Sequence, residues 1–150
     1  KEVPRVGLLN IGQEEYKGSQ SLKKAHHRLQ ELSHKKIFEF SGNVEPRAVW
    51  QGEVDVVVSD GTLGNVFIKT AEGLVEFLVG GLENKNSLEN LRDKFGFTLH
   101  PGAVLAGIEE IVIKCHGDST SKNFANAISQ AAEFVKFQPN KKMKAFLELL

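Results

Sequence analysis

The sequence predicts an α/β fold built on a largely parallel sheet. Short apolar, β-branched runs alternate along the chain with longer stretches whose apolar residues recur every three or four positions. Alternating strand and helix periods are the mark of strand–helix–strand crossover units. The run Val54-Asp-Val-Val-Val-Ser-Asp-Gly-Thr-Leu-Gly-Asn65 carries a strand straight into a polar, glycine-containing turn and on into a helix-compatible stretch. Four strand ends share this grammar: Asn10-Ile-Gly12, Gly42-Asn-Val-Glu45, Asp60-Gly-Thr-Leu-Gly-Asn65 and Lys114-Cys-His-Gly-Asp-Ser119. In a parallel sheet all four gather at the carboxyl edge, where open α/β sheets bind ligands.

Taken in order, residues 3–9 read as the first strand, broken at Asn10-Ile-Gly12. Residues 17–32 read as a helix: Leu22, Ala25, Leu29 and Leu32 share a face, and Lys23, Lys24, His27 and Arg28 cover the others. Residues 37–40 give a short strand ending at Ser41-Gly-Asn. Residues 53–59 give the next, β-branched through its middle as a strand covered on both faces would be. Residues 65–82 read as a helix that Gly73 and the Gly80-Gly81 pair weaken.

Residues 84–97 are polar and charged, and Pro101-Gly102 marks a turn. Residues 108–114 supply another strand around Ile111-Val-Ile113. Ser119 or Thr120 can cap a helix running to Phe137, with Phe124, Ile128, Ala131 and Val135 on one face. Pro139 and Asn140 stop it, and residues 143–150 suit a final amphipathic helix. The expected organisation is strand–helix units over 3–82, a short exposed hairpin-like segment over 83–100, and a strand with C-terminal helices over 101–150.

Composition bounds the function. A chain of 150 residues with 41% hydrophobic and 25% charged content is one domain-sized unit with a real core. Its 19 basic and 19 acidic residues cancel, which argues against a nucleic-acid binder. The single Cys115 cannot form an internal disulfide and points to a reducing compartment. No signal peptide is visible, and the most apolar stretch is too short to span a bilayer. Lys1 in place of methionine points to a chain that begins inside a longer protein.

The residues at the four strand ends suggest chemistry. Helix N-termini attract anions through unpaired N–H groups and the helix dipole, so the turn from Asp60 to Asn65 suits something small, polar and negative. Gly12-Gln-Glu-Glu-Tyr-Lys-Gly18 has two readings: a solvated first helical turn, or a loop that sets Lys17 over a bound anion. His116, at a strand's carboxyl end, is a better acid–base candidate than His26, His27 or His34, which are assigned to a charged helix or its exit. Cys115 is expected to pack rather than react. No zinc-ligand spacing, G-x-S-x-G, Walker A or G-x-G-x-x-G is present, so no metal or cofactor is expected.

Together these segments resemble the PlsX family of phosphate acyltransferases, which serve bacterial phospholipid biosynthesis. The resemblance rests on Pro4-Arg-Val-Gly-Leu-Leu-Asn-Ile-Gly12, residues 14–18, Gly42-Asn-Val-Glu45, Gly52-Glu-Val-Asp-Val-Val-Val58, Asp60-Gly61 with Gly64-Asn65, Lys69-Thr-Ala-Glu-Gly73, residues 102–107, Val112-Ile-Lys-Cys-His-Gly117 with Ser119, and Ala127-Ile-Ser-Gln-Ala131. It covers most of the chain, in order. It implies a Rossmann-like three-layer sandwich similar to isocitrate and isopropylmalate dehydrogenases. It also implies that this chain is an incomplete C-terminal portion, the family's N-terminal half being absent. Residues 77–97 look shorter than the family's long helical hairpin, and Thr62 stands where the family has an aromatic residue.

The implied reaction joins inorganic phosphate to the acyl group of acyl-(acyl carrier protein), releasing acyl phosphate and free carrier protein in fatty acid and lipid metabolism. The implied enzyme is a homodimer, cytoplasmic and peripheral to the inner face of the membrane. Under this resemblance Lys17 is expected to neutralise phosphate, Asn65 to orient phosphate or the oxyanion, and His116 to protonate the leaving thiolate. Asn10, Gly12, Gly42, Asn43, Asp60, Gly61, Gly64, Lys69, Lys114, Gly117 and Ser119 complete the expected phosphate- and substrate-binding set. Two other readings stay open: a phosphotransacetylase-like transferase using coenzyme A thioesters, and a non-catalytic piece for assembly or membrane attachment.

Overall fold

The computed structural model describes residues 3–81, 102–117 and 119–148. The expected hairpin-like segment over 83–100 lies outside the described residues, as do Pro101 and Asp118. The chain forms two compact units, Lys1–Phe77 and Leu78–Leu150. It is an α/β protein whose first unit carries a parallel three-stranded sheet with helices. No helix among the described residues is long and apolar enough to cross a membrane.

The first unit is organised on β1 (Arg5–Leu9), the central strand, with β2 (Glu39–Val44) on one side and β3 (Val56–Val58) on the other, both parallel to it. Val6, Leu8 and Leu9 of β1 are buried, as a central parallel strand requires. β3 was expected to be covered on both faces, yet Val56 and Val57 are 45% and 37% exposed. The reason is its place: among the described residues it pairs with β1 alone, at the margin of the sheet. Arg5 fixes the entry to this pairing. Its Nε and Nη2 donate to the two carboxylate oxygens of Asp55 at 3.0 and 3.1 Å, and Nη2 also reaches the Gly52 carbonyl at 2.9 Å. The Asp55 hydrogen bond holds the guanidinium above its already high ordinary pKa.

β2 runs four residues beyond the expected stop at residue 40. Val6 faces Phe40, but Leu8 faces Asn43, so β2 has one residue more than β1 between these pairs. Gly42 absorbs this bulge at φ +79°, a conformation that costs glycine little. Gly7 lies beside it, and a Cβ there would come within 2.7–2.8 Å of the Val44 methyls.

α1 (Gln20–Ser33) begins later than residue 17 because Gly18 turns through φ +85° and Ser19 caps the helix, accepting from the Leu22 N–H at 3.3 Å. α2 (Pro46–Trp50) is a short helix with proline in its first turn, unexpected from the sequence. α3 (Gly61–Gly81) starts at the glycine itself, not at Asn65. Trp50 stacks on Phe67 at 5.0 Å, joining α2 to α3.

In the second unit, β4 (Gly102–Val104) and β5 (Ile113–Cys115) pair antiparallel, with Ala103 opposite Lys114. The strand expected over 108–114 is shorter because residues 107–112 form the bend that reverses the chain. α4 (Ser121–Phe137) is capped by Thr120, whose Oγ1 accepts from the Asn123 N–H at 3.3 Å. Gln138, left-handed at φ 49°, closes α4 and leads into α5 (Pro139–Leu147). Asn140 Nδ2 donates to the Glu110 carbonyl at 2.8 Å, tying α5 to that bend.

Candidate functional site

Three of the four polar strand ends lie at the carboxyl ends of β1, β2 and β3 in the first unit; the fourth follows β5 in the second. The loop over residues 11–19 leaves β1 and carries Lys17. Two buried amides hold it. Asn10, 2% exposed, donates from Nδ2 to the Lys17 carbonyl at 3.1 Å and accepts from the Ile11 N–H at 2.8 Å. Asn43, 4% exposed, donates from Nδ2 to the Glu14 carbonyl at 2.8 Å. Buried amides without partners would be costly, so these bonds fix the path of the loop as well as satisfying the asparagines. Both were expected to meet ligand; in the structure the Nδ2 group of each is engaged with backbone.

Gly12 and Gly18 let the loop fold this tightly. A Cβ on Gly12 would lie 2.7 Å from Glu14 Oε2 and 3.4 Å from Lys17 Cγ, so both side chains cross over the bare glycine. A Cβ on Gly18 would meet the Asn10 amide at 2.8–3.0 Å and Leu22 Cδ1 at 2.9 Å. Lys17 is half-buried, with Nζ 5.7 Å from the Tyr16 ring centroid. Gly42 belongs to the bulge described above.

At the carboxyl end of β3, Asp60 Oδ1 accepts from the Leu63 N–H at 2.7 Å, and the Asp60 carbonyl accepts from the Gly64 N–H at 3.0 Å. Asp60 is thus the N-cap of α3, and its carboxylate sits where the helix end favours negative charge. Gly64 packs so closely that a Cβ would collide with Ser59 Oγ, while Gly61 has open space around it. Asn65 is exposed on the second turn of α3. Lys69, one turn further on, is exposed and lies 3.9 Å from Glu72.

In the second unit, Lys114, His116 and Gly117 are exposed around the end of β5. Ser119 Oγ donates to the His116 carbonyl at 2.7 Å, closing the turn before α4. Cys115 is half-buried. Among the described residues, no group of three or more His, Cys, Asp or Glu side chains is arranged to hold a metal ion.

His26 was assigned to a charged helix; it does lie on α1, and the structure buries it to 5% exposure. Its Nδ1 lies 3.1 Å from Asn43 Oδ1, and its ring packs edge-on to Phe40 at 5.0 Å. The signal was present in the spacing: His26 stands four residues after Leu22, on the same helix face.

The profile of the fatty acid synthesis protein family matches residues 1–142. The chain belongs to this family. Several relatives of the chain are named phosphate acyltransferase. That of Chlamydia abortus is 42% identical over 137 residues, covering 90% of this chain and 42% of the relative. That of Neorickettsia sennetsu is 41% identical over 155 residues, covering 93% and 45%. The chain therefore spans less than half the length of the relatives it matches. The family match takes in every candidate residue from Asn10 to Ser119.

Proposed function

We propose that this chain is part of an acyltransferase that forms acyl phosphate from acyl-(acyl carrier protein) and inorganic phosphate. The observation carrying this reading is Lys17 on a loop pinned by two buried amides at the carboxyl edge of a parallel sheet, in a chain about 40% identical to proteins named phosphate acyltransferase. A phosphate oxygen attacks the thioester carbonyl, the C–O bond forms, the C–S bond breaks, and the departing thiolate takes a proton. Phosphate is itself the nucleophile, so the protein has to hold a dianion, align it and stabilise the developing oxyanion.

Lys17 supplies the positive charge. Asn10, Asn43, Gly12 and Gly42 shape and fix its loop. Asn65, near Gly61 and Gly64 at the start of α3, orients phosphate or meets the oxyanion; Asp60 sets that helix end, and Lys69 adds positive charge on α3. In the second unit, His116 is proposed to protonate the thiolate, with Lys114 adding charge and Gly117 and Ser119 forming the turn. By the same likeness, the working enzyme includes an N-terminal half, is a homodimer, and acts in the cytoplasm, peripheral to the membrane, supplying acyl phosphate to phospholipid synthesis.

The test is acyl-phosphate formation from acyl-(acyl carrier protein) and phosphate, by this chain alone and joined to the N-terminal half of a phosphate acyltransferase relative. Activity in the joined form with carrier-protein thioesters supports the reading. Equal activity with coenzyme A thioesters favours a phosphotransacetylase-like transferase. A well-folded joined protein that forms no acyl phosphate sinks it.

A further inference from the structure

We propose that His26 is a positioning residue for Lys17: through Asn43 it orients the loop whose lysine meets phosphate, a role that rests on the phosphate-binding function proposed for Lys17. The argument starts from the Asn43 amide. Its Nδ2 donates to the Glu14 carbonyl at 2.8 Å. Turned the other way, the amide would set oxygen against carbonyl oxygen, acceptor against acceptor. The Glu14 bond therefore fixes Oδ1 toward His26, 3.1 Å from Nδ1. Oδ1 can only accept, so Nδ1 carries a proton in the neutral ring and in the cation alike. The result is a directed relay: His26 Nδ1–H to Asn43 Oδ1, then Asn43 Nδ2–H to the Glu14 carbonyl. Each bond polarises the next, and both the His26 and Asn43 side chains are buried.

The other ring nitrogen faces the same loop. His26 Nε2 lies 3.8 Å from Glu15 Oε1. His27 stands edge-on to the ring at 6.3 Å, and His34 lines, with His26 and Glu15, a cavity of about 400 Å³. Nδ1 thus reaches the loop through Asn43, at the Glu14 carbonyl, and Nε2 faces the carboxylate of the next residue, Glu15. A residue that merely filled the space beneath α1 would need neither. Phe40 and the burial of the ring hold the imidazole from the other side, so the loop is referred back to β2 and α1. Asn10 holds the loop again at the Lys17 carbonyl. Loss of the His26 relay would loosen the Glu14 anchor and free Glu15 and Tyr16 between it and Lys17.

The experiment uses the full-length enzyme with two variants. His26→Phe keeps the ring and its packing on Phe40 but removes both nitrogens. His26→Asn restores an N–H donor near the position of Nδ1. The expected result is a KM for inorganic phosphate raised about tenfold in His26→Phe, with kcat changed far less, and largely restored in His26→Asn. Amide exchange over residues 11–18 should quicken in His26→Phe and return in His26→Asn. In the unmodified protein, nitrogen NMR should find Nδ1 protonated throughout a pH titration, a readout that needs no variant to fold. An unchanged phosphate KM in His26→Phe alongside a raised one in Lys17→Ala overturns the proposal, as does a bare Nδ1 or unaltered loop exchange. Lys17→Ala with an unchanged phosphate KM overturns the Lys17 reading instead, and loop exchange in the two His26 variants then decides the positioning on its own.

Discussion

Lys17 divides its work between backbone and side chain. Asn10 grips its carbonyl, and the half-buried ammonium arm is left to act. Lys17→Ala is therefore expected to leave stability within about 0.5 kcal/mol while lowering kcat/KM for phosphate on the order of a hundredfold. Denaturant melts and phosphate titrations of the full-length enzyme check the two halves of that statement. Asn65, exposed on α3, is expected to behave alike: Asn65→Ala should cost roughly a hundredfold in turnover with little loss of fold, and normal turnover would remove it from the site. The two loop glycines should separate in the opposite sense. Gly18→Ala forces a left-handed backbone on alanine and drives Cβ into the Asn10 amide, a loss of about 2–4 kcal/mol. Gly12→Ala meets only the tip of the flexible Glu14 carboxylate and the Lys17 stem, so stability should fall by less than about 1 kcal/mol while the phosphate KM rises. Equal destabilisation by both would show that the loop is not held as described.

At the scale of elements, caps and bulges decide where helices and strands begin. Asp60→Ala removes the acceptor of the Leu63 N–H and should cost about 1 kcal/mol in a urea melt; Asp60→Asn, which keeps an oxygen acceptor, should cost only a few tenths. Gly7→Ala should cost about 1–3 kcal/mol, because its Cβ meets branched Val44 methyls that cannot swing away. The same features explain which elements could be read from the sequence. β1 and α1 were legible because their apolar spacing is unambiguous, and the Thr120 cap of α4 was legible because its first turn follows a hydroxyl. β2 was cut short because Ser41-Gly42 reads as a turn; only the register with β1 reveals that the glycine is a bulge inside the strand. α3 was started too late because Gly61 and Gly64 depress helix propensity, while the Asp60 cap and close packing on Ser59 override it. The antiparallel partner of β5 was missed because Pro101-Gly102 reads as punctuation. At the site, sequence left residues 12–18 between a solvated first helical turn and a loop carrying Lys17; the structure shows a loop, and sequence could not say that Asn10 and Asn43 hold it, nor that His26 lies beneath it, because those relations join residues up to 29 positions apart.

For the molecule as a whole, some of the exposed apolar residues fall in rows along two helices. On α3, Val66, Leu74 and Phe77 recur at helical spacing, and Phe77 is 76% exposed. On α4, Phe124, Ile128 and Val135 do the same. Single exposed apolar residues are ordinary, but a stripe along one helix face marks a surface suited to burial. Zero net charge offers no long-range repulsion to keep copies apart. The phosphate acyltransferases this chain matches are longer than it by more than their aligned part, so they have chain that could cover such stripes. The expected outcome is that the chain alone binds an apolar fluorescent dye strongly, and that fusion to the N-terminal half of such a relative lowers the fluorescence severalfold. Phe77→Ser and Phe124→Ser should each weaken dye binding by the lone chain while shifting stability by no more than about 0.5 kcal/mol, since exposed side chains contribute little to the fold. If fusion leaves the fluorescence unchanged and both serine variants bind dye as before, these helix faces are solvent surface and the stripes carry no partner.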